Sequence, residues 1–262
     1  MRVLLTNDDS IHSAALQRLV RALVTEHWEV YVAAPDSEKS GVGCGCSLTK
    51  GIRIETFEGL DCPAWAIGGT PLDCVNLAFS HLLEGKIPDV VISGINWGVN
   101  TSIPMIFCSG TVGGAIEGAT FGVPSIAVSQ CLPGQEGRYI QKKINFLAHE
   151  GLMRSIDAAV ERTVLYAEEI GKTSENVVHN INFPYPMTSQ TEKEMTRLSN
   201  IMHGKGALYP LHGSLYEKEG EEYVFAVEQD LDTSITPLPG TDIDALMRGK
   251  VSHTVVDLRR LC

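Results

Sequence analysis

Residues Met1–Asp36 read MRVLLTNDDSIHSAALQRLVRALVTEHWEVYVAAPD. Val3-Leu4-Leu5 is a short apolar run that predicts a buried strand, and the turn-forming cluster Asn7-Asp8-Asp9-Ser10 closes it. Leu16, Leu19, Val20 and Leu23 then recur at helical spacing, which predicts an amphipathic helix over residues 13–26. Glu29–Ala34 predicts a second strand, ended by Pro35-Asp36. Strand, helix and strand within about 35 residues form a βαβ unit with a right-handed crossover.

The alternation continues outward from this unit. Ile52–Thr56 predicts a half-buried strand and Ala64–Ile67 another. Thr70-Pro71-Leu72-Asp73 is a helix start, with Thr as N-cap, Pro at the first position and an acid in the first turn, and the helix should reach Leu83. Pro88–Ser93 predicts a buried strand, residues 94–110 a polar glycine-rich loop, Thr111–Thr120 a helix and Pro124–Ser129 a strand. Residues 153–170 predict an amphipathic helix and Val177–Asn182 a strand. Residues 194–240 offer scattered short strands, 242–248 a last helix and Val251–Val256 a terminal strand. The polar segment 130–150 carries no helix or strand pattern. The expected architecture is α/β: a Rossmann-like, mainly parallel sheet with helices on both faces. A C-terminal extension should contain a β-hairpin and the short helix. The chain reads as one domain over 1–262, with residues 1–130 as the catalytic core and about 185–262 as the extension.

The bulk numbers narrow the function. The 262 residues carry a net charge of -11, which disfavours duplex nucleic acid as a partner because such binders displace counterions with a basic face. No apolar run is long enough for a membrane helix, and the amino terminus lacks a signal-peptide pattern. Seven Cys, an odd number, suit reduced thiols beside packed backbone in a cytoplasmic protein.

Binding sites of open parallel sheets form at the carboxyl ends of the strands. That edge gathers Asn7, Asp8 and Asp9 after the first strand, and Ser37, Ser40 and Gly41 after the second. It also gathers Asn96 and Asn100 after the strand at 88–93, and Ser109, Gly110 and Thr111 at a helix start. Adjacent carboxylates with amide and hydroxyl oxygens suit a hard cation such as magnesium or manganese. The pair alone reads more readily as a turn with a helix-capping carboxylate. Ser109-Gly110-Thr111 offers N–H groups and a positive helix end to an anion, and alone reads more readily as an ordinary cap. Gly41-Val42-Gly43-Cys44-Gly45 fails the dinucleotide pattern, which needs glycine where Cys46 stands.

Together these residues resemble the SurE family of survival-protein nucleotidases. The similarity rests on Thr6-Asn7-Asp8-Asp9, Ala34-Pro35-Asp36 with Ser40-Gly41, and Gly69-Thr70-Pro71-Leu72-Asp73-Cys74-Val75. Further matching stretches are Ser93-Gly94-Ile95-Asn96 with Gly98 and Asn100, Ser109-Gly110-Thr111-Val112-Gly113 with Glu117-Gly118, and Gly240–Ala245. The resemblance implies a metal-dependent phosphatase acting on nucleoside 5′- and 3′-monophosphates, and on short polyphosphate in some members. It implies one divalent cation per subunit, Mg2+ or Mn2+, held by Asp8, Asp9, Ser40 and Asn96. Asp8, Asp9 and Asn96 would be catalytic, and Asn7, Gly41, Asn100, Ser109, Gly110 and Thr111 would bind substrate. It also implies a homodimer or homotetramer joined through the C-terminal extension. The chain departs from the family pattern at Ser10, where glycine is usual, at Ser13-Ala14, Glu38-Lys39 and Cys108, and at Thr101-Ser102, where Leu-Gly is usual. A non-catalytic module that binds metal and nucleotide is the rival reading.

Overall fold

The computed structural model describes residues 1–134, 146–173, 177–200, 216–219, 222–225 and 236–261. Residues 135–145 of the polar 130–150 segment, and 201–215 and 226–235 of the 194–240 stretch, lie outside the described residues.

The opening βαβ unit forms as its periodicity predicts. β1 (Arg2–Thr6) and β2 (Glu29–Pro35) pair in parallel around α1 (Ala14–Thr25). α1 buries Leu16, Leu19, Val20 and Leu23. β3 (Ile54–Thr56) and β4 (Ala64–Ile67) extend this side of the sheet, although all of β3 is exposed rather than half-buried because it is the antiparallel edge strand. α2 (Pro71–Leu77) begins with the expected Thr70 cap, and Asp73 completes a capping box. Its α-helical hydrogen bonding ends at Leu77, and a π-helical turn carries the chain over Ala78–Leu82.

On the other side of β1 the chain continues with β5 (Val90–Trp97), α3 (Ile103–Cys108), α4 (Gly110–Thr120), β6 (Ser125–Gln130), α5 (Glu150–Ile170) and β7 (Val178–Phe183). Two expectations fail here. Gly94–Trp97 lies in the strand and not in a loop, since Asn96 and Trp97 pair with Ser129 and Gln130 beyond an irregularity in register. The loop expected to reach residue 110 instead holds α3. Glycine is required inside α4 because a Cβ on Gly118 would fall 2.8 Å from Val91 Cβ, so only this residue lets helix and sheet approach so closely.

The remaining elements are β8 (Lys193–Thr196), the antiparallel pair β9 (Tyr216–Glu219) and β10 (Glu222–Phe225), α6 (Asp242–Met247) and β11 (Val251–Val256). The main sheet has the order β3-β4-β2-β1-β5-β6-β7-β11-β8. Its six central strands, β4 to β7, are parallel; β11 runs antiparallel to β7 and parallel to β8. α1 and α5 share one apolar core with the sheet, while α2 packs into another core with Leu4, Tyr31 and Ile67. This is the doubly covered α/β architecture that the alternation predicts. The strand order reverses between β1 and β5, which opens a crevice at their carboxyl ends.

Candidate active site

The turn after β1 places Asp8 and Asp9 in that crevice. Asp8 is buried, and its Oδ1 accepts a 2.6 Å hydrogen bond from the Thr111 hydroxyl. Gly110 packs against the same carboxylate: a Cβ there would stand 2.9 Å from Asp8 Cβ and 3.1 Å from Oδ2. Ser109 caps α4, its hydroxyl accepting from the Val112 amide at 3.1 Å. Asp8 therefore meets the positive end of a three-turn helix, where negative charge is favoured. Asp9 turns towards β5, and its Oδ2 accepts from the Trp97 amide at 3.2 Å, one residue beyond Asn96.

Both carboxyls titrate above the ordinary range. Burial pushes Asp8 up, against the pull of hydrogen bonds from Thr111. Burial and then the neighbouring Asp8 charge push Asp9 well up. Glu38 adds a third negative charge, and neither Asp has a basic ion-pair partner among the described residues. Two desolvated carboxylates without a cation are a chemical demand for one. Among the described residues no group of three or more His, Cys, Asp and Glu is placed to hold a metal, so a cation at this pair would rely on the two carboxylates and neutral oxygens. That composition suits magnesium or manganese and not zinc. Asn7, fully buried, donates from Nδ2 to the Ser10 carbonyl at 2.8 Å, and its Oδ1 is buried without a hydrogen-bond partner.

The other expected residues are placed unevenly. Asn96 gives its Nδ2 to the Gly98 carbonyl at 3.0 Å, leaving Oδ1 as the atom a cation would use. Ser40 is exposed and its hydroxyl donates to Glu38 at 2.8 Å, although the adjacent Lys39 amide bonds the Asp8 carbonyl at 2.7 Å. Gly41 is exposed with φ +77, open to whatever occupies the crevice. Asn100 is tied into the scaffold: its Nδ2 bonds Ser129 Oγ at 2.9 Å and its amide bonds Asn182 Oδ1 at 2.7 Å. Its carbonyl accepts from Asn180 at 2.8 Å and from Asn182 at 3.2 Å. Cys44, Cys46 and Cys108 are exposed rather than packed. His12 is also exposed, its ring edge-on to Phe57.

Two departures acquire a physical meaning. Ser10 and Ser102 have φ values of +78 and +69, the left-handed region that favours glycine. The chain keeps the backbone bend at both positions and accepts the strain of a side chain. The asparagine network, and the contacts of Asp242 described below, were not identified from sequence as parts of the site. Gly240–Ala245 stood out there only as a matching stretch.

The model of the family described as Survival protein SurE matches residues 3–205. The 5′-nucleotidase SurE of Caulobacter vibrioides is 36% identical over 258 residues, spanning 97% of this chain and 89% of that protein. The 5′-nucleotidase SurE of Methanococcoides burtonii is 32% identical, spanning 98% of this chain and 93% of its own. The crystal structure of the SurE protein from Aquifex aeolicus superposes with a TM-score of 0.73 at 28% identity, covering 98% of this chain and 94% of that one.

Proposed function

We propose that this chain, which belongs to the survival protein SurE family, is a 5′-nucleotidase that hydrolyses nucleoside monophosphates to nucleoside and phosphate. The observation that carries this reading is the meeting of the buried Asp8 with Thr111 at the start of α4. It brings a carboxylate that demands a cation against a helix end that suits an anion, which is the pairing phosphoryl transfer needs. Full-length relatives named 5′-nucleotidase support it.

Asp8, Asp9, Ser40 and Asn96 would hold one divalent cation, Mg2+ or Mn2+, per subunit. When bound, it would neutralise phosphate oxygens and lower the pKa of water. The protein's part is orientation and charge. The Gly110 N–H and the Ser109 hydroxyl would receive the phosphate oxygens as negative charge develops, while Thr111, whose hydroxyl is given to Asp8, would line the pocket and hold that carboxylate beside them. Gly41 would let the substrate approach the backbone, and Asn7 and Asn100 would shape the phosphate pocket from within the scaffold, where their side-chain NH2 groups are held by Ser10 and Ser129. Asp9 would orient the attacking water and accept its proton. Action on 3′-monophosphates and short polyphosphate, and assembly as a homodimer or homotetramer through residues 185–262, belong to the same reading.

The test is phosphate release from a panel of nucleoside monophosphates with magnesium or manganese, beside Asp8→Asn. Metal-dependent release that collapses in the variant is expected. Nucleotide binding without release from any substrate would replace the enzyme with a regulatory binding module. A phosphorylated protein trapped by acid quench would replace attack by water with attack by Asp8.

A further inference from the structure

Asp242, the first residue of α6, is completely buried. Its carboxylate accepts three backbone N–H groups. Oδ2 accepts from Ser102 at 2.7 Å, and Oδ1 accepts from Ser199 and Ile243, both at 2.9 Å. Hydrogen bonds to a charged acceptor are the strong kind, and without them a buried carboxylate would be costly. Two donors come from distant segments: Ser102 precedes α3, and Ser199 follows β8. The Ile103 amide also donates to the Ser199 carbonyl at 2.8 Å, so Asp242 closes a compact knot around the start of α3.

In the sequence that knot falls between two groups of candidate site residues. Ser102 separates Asn96 and Asn100 from Ser109, Gly110 and Thr111. Its left-handed φ of +69 is unfavourable for serine, so something must hold the bend. On the other side of the bend Asn100 is fixed by Asn180 and Asn182. We infer that Asp242 is a positioning residue for the phosphate site: by holding the Ser102 amide it sets the end of β5 against the start of α4. The inference rests on the phosphatase reading. It gives residues beyond 205, where the match to the family model ends, a part in positioning the site.

Asp242→Asn tests it. The two donors at Oδ1 will keep the amide oxygen there, so the NH2 group must face the Ser102 amide and that one tether is lost. Asp244→Asn is the control; on the same helix, the Asp244 carboxylate accepts from Gly240 and Arg248 and, among the described residues, hydrogen-bonds to none of the site residues. With wild type, both variants and a nucleoside 5′-monophosphate at saturating manganese, kcat per folded molecule is expected to fall about tenfold or more in Asp242→Asn. KM should change much less, and the control should keep wild-type kcat. A kcat within twofold of wild type, or a loss that only mirrors lost folded protein, overturns the inference. Should the variant fail to fold, hydrogen exchange in the wild type decides: the Ser102 amide should exchange as slowly as the β5 amides, and exchange as fast as exposed residues 48–51 overturns the tether. No release by wild type would remove the phosphatase reading, whereas release by wild type and an unchanged variant would remove this inference alone.

Discussion

The Thr111 hydroxyl donates a 2.6 Å hydrogen bond to Asp8 Oδ1 across 103 residues of chain. It fastens the end of the first strand to the start of the helix beside the switch point, so carboxylate and anion-binding helix end act as one unit. Thr111→Val removes the donor and keeps the shape. Phosphate release should drop by about 10- to 100-fold, the range set by roughly 1.5–3 kcal/mol for a hydrogen bond to a charged group. The melting temperature without metal should fall as well, because the buried Asp8 carboxylate loses a donor. Full activity in the variant would show the contact to be incidental.

Gly110→Ala puts a methyl group 2.9 Å from Asp8 Cβ, a distance at which something must shift. The cheapest relief is to move Asp8 away from α4. A fall in activity of about 100-fold with a modest loss of stability is expected, as for small displacements of reacting groups. Steady-state kinetics beside a melting curve separates the two effects.

Divalent-metal removal should abolish release and lower the melting temperature, because the Asp8 and Asp9 charges then face each other without a cation. Returning manganese at about 100 times its dissociation constant should restore about 2.7 kcal/mol. Asp8→Asn should lose that metal response. Its melting temperature without metal should rise, since one buried charge is gone. A metal-independent melting temperature in wild type would count against a cation at this pair.

The His179 and His253 rings touch at 2.8 Å between β7 and β11. Burial, the His179 charge and Lys193 on β8 lower the His253 pKa from 6.5 to about 3. Tyr166 of α5, which also contacts His253, is bonded to Arg162 and lies under Lys193, so the surroundings are basic. The unfolded chain takes up this proton below pH 6.5 and the folded chain does not, so this contribution to stability falls as pH drops from 6.5 towards 3. The loss between pH 7.5 and 5 should be about 2 kcal/mol. Melting curves of wild type and His253→Gln across that range should converge as pH falls; parallel curves would refute the assignment.

Ser10→Gly should stabilise the fold. Ser10 holds φ +78 and gains only a long 3.4 Å contact from the His12 amide to its hydroxyl. Relief of left-handed strain, less the added freedom of glycine in the unfolded chain, should yield about 0.5–1 kcal/mol. A melting temperature unchanged or lowered would show that the hydroxyl matters more than the backbone.

The sequence by itself determined the alternation of strands and helices. Leu16, Leu19, Val20 and Leu23 of α1 and the Thr70 cap ahead of Pro71 are local patterns, read from neighbours in the chain and reproduced in the structure. It also placed Asp8 and Asp9 on the turn after β1 and Ser109–Thr111 at the start of a helix, on one sheet edge, because strand polarity follows from the βαβ rule. Tertiary structure alone decided the rest. Gly94–Trp97 looks like loop because glycine and asparagine are poor strand formers, yet pairing with β6 keeps the stretch in the sheet. Asn100 looks like a ligand-facing amide, yet its side chain serves Ser129. Asp242 looks like a first-turn acid, yet it reaches Ser102, 140 residues away in sequence. Periodicity reports which face of an element is apolar. The partner that a buried polar group finds depends on which distant segments the packed sheet brings to it, and that pairing leaves no local trace in the chain.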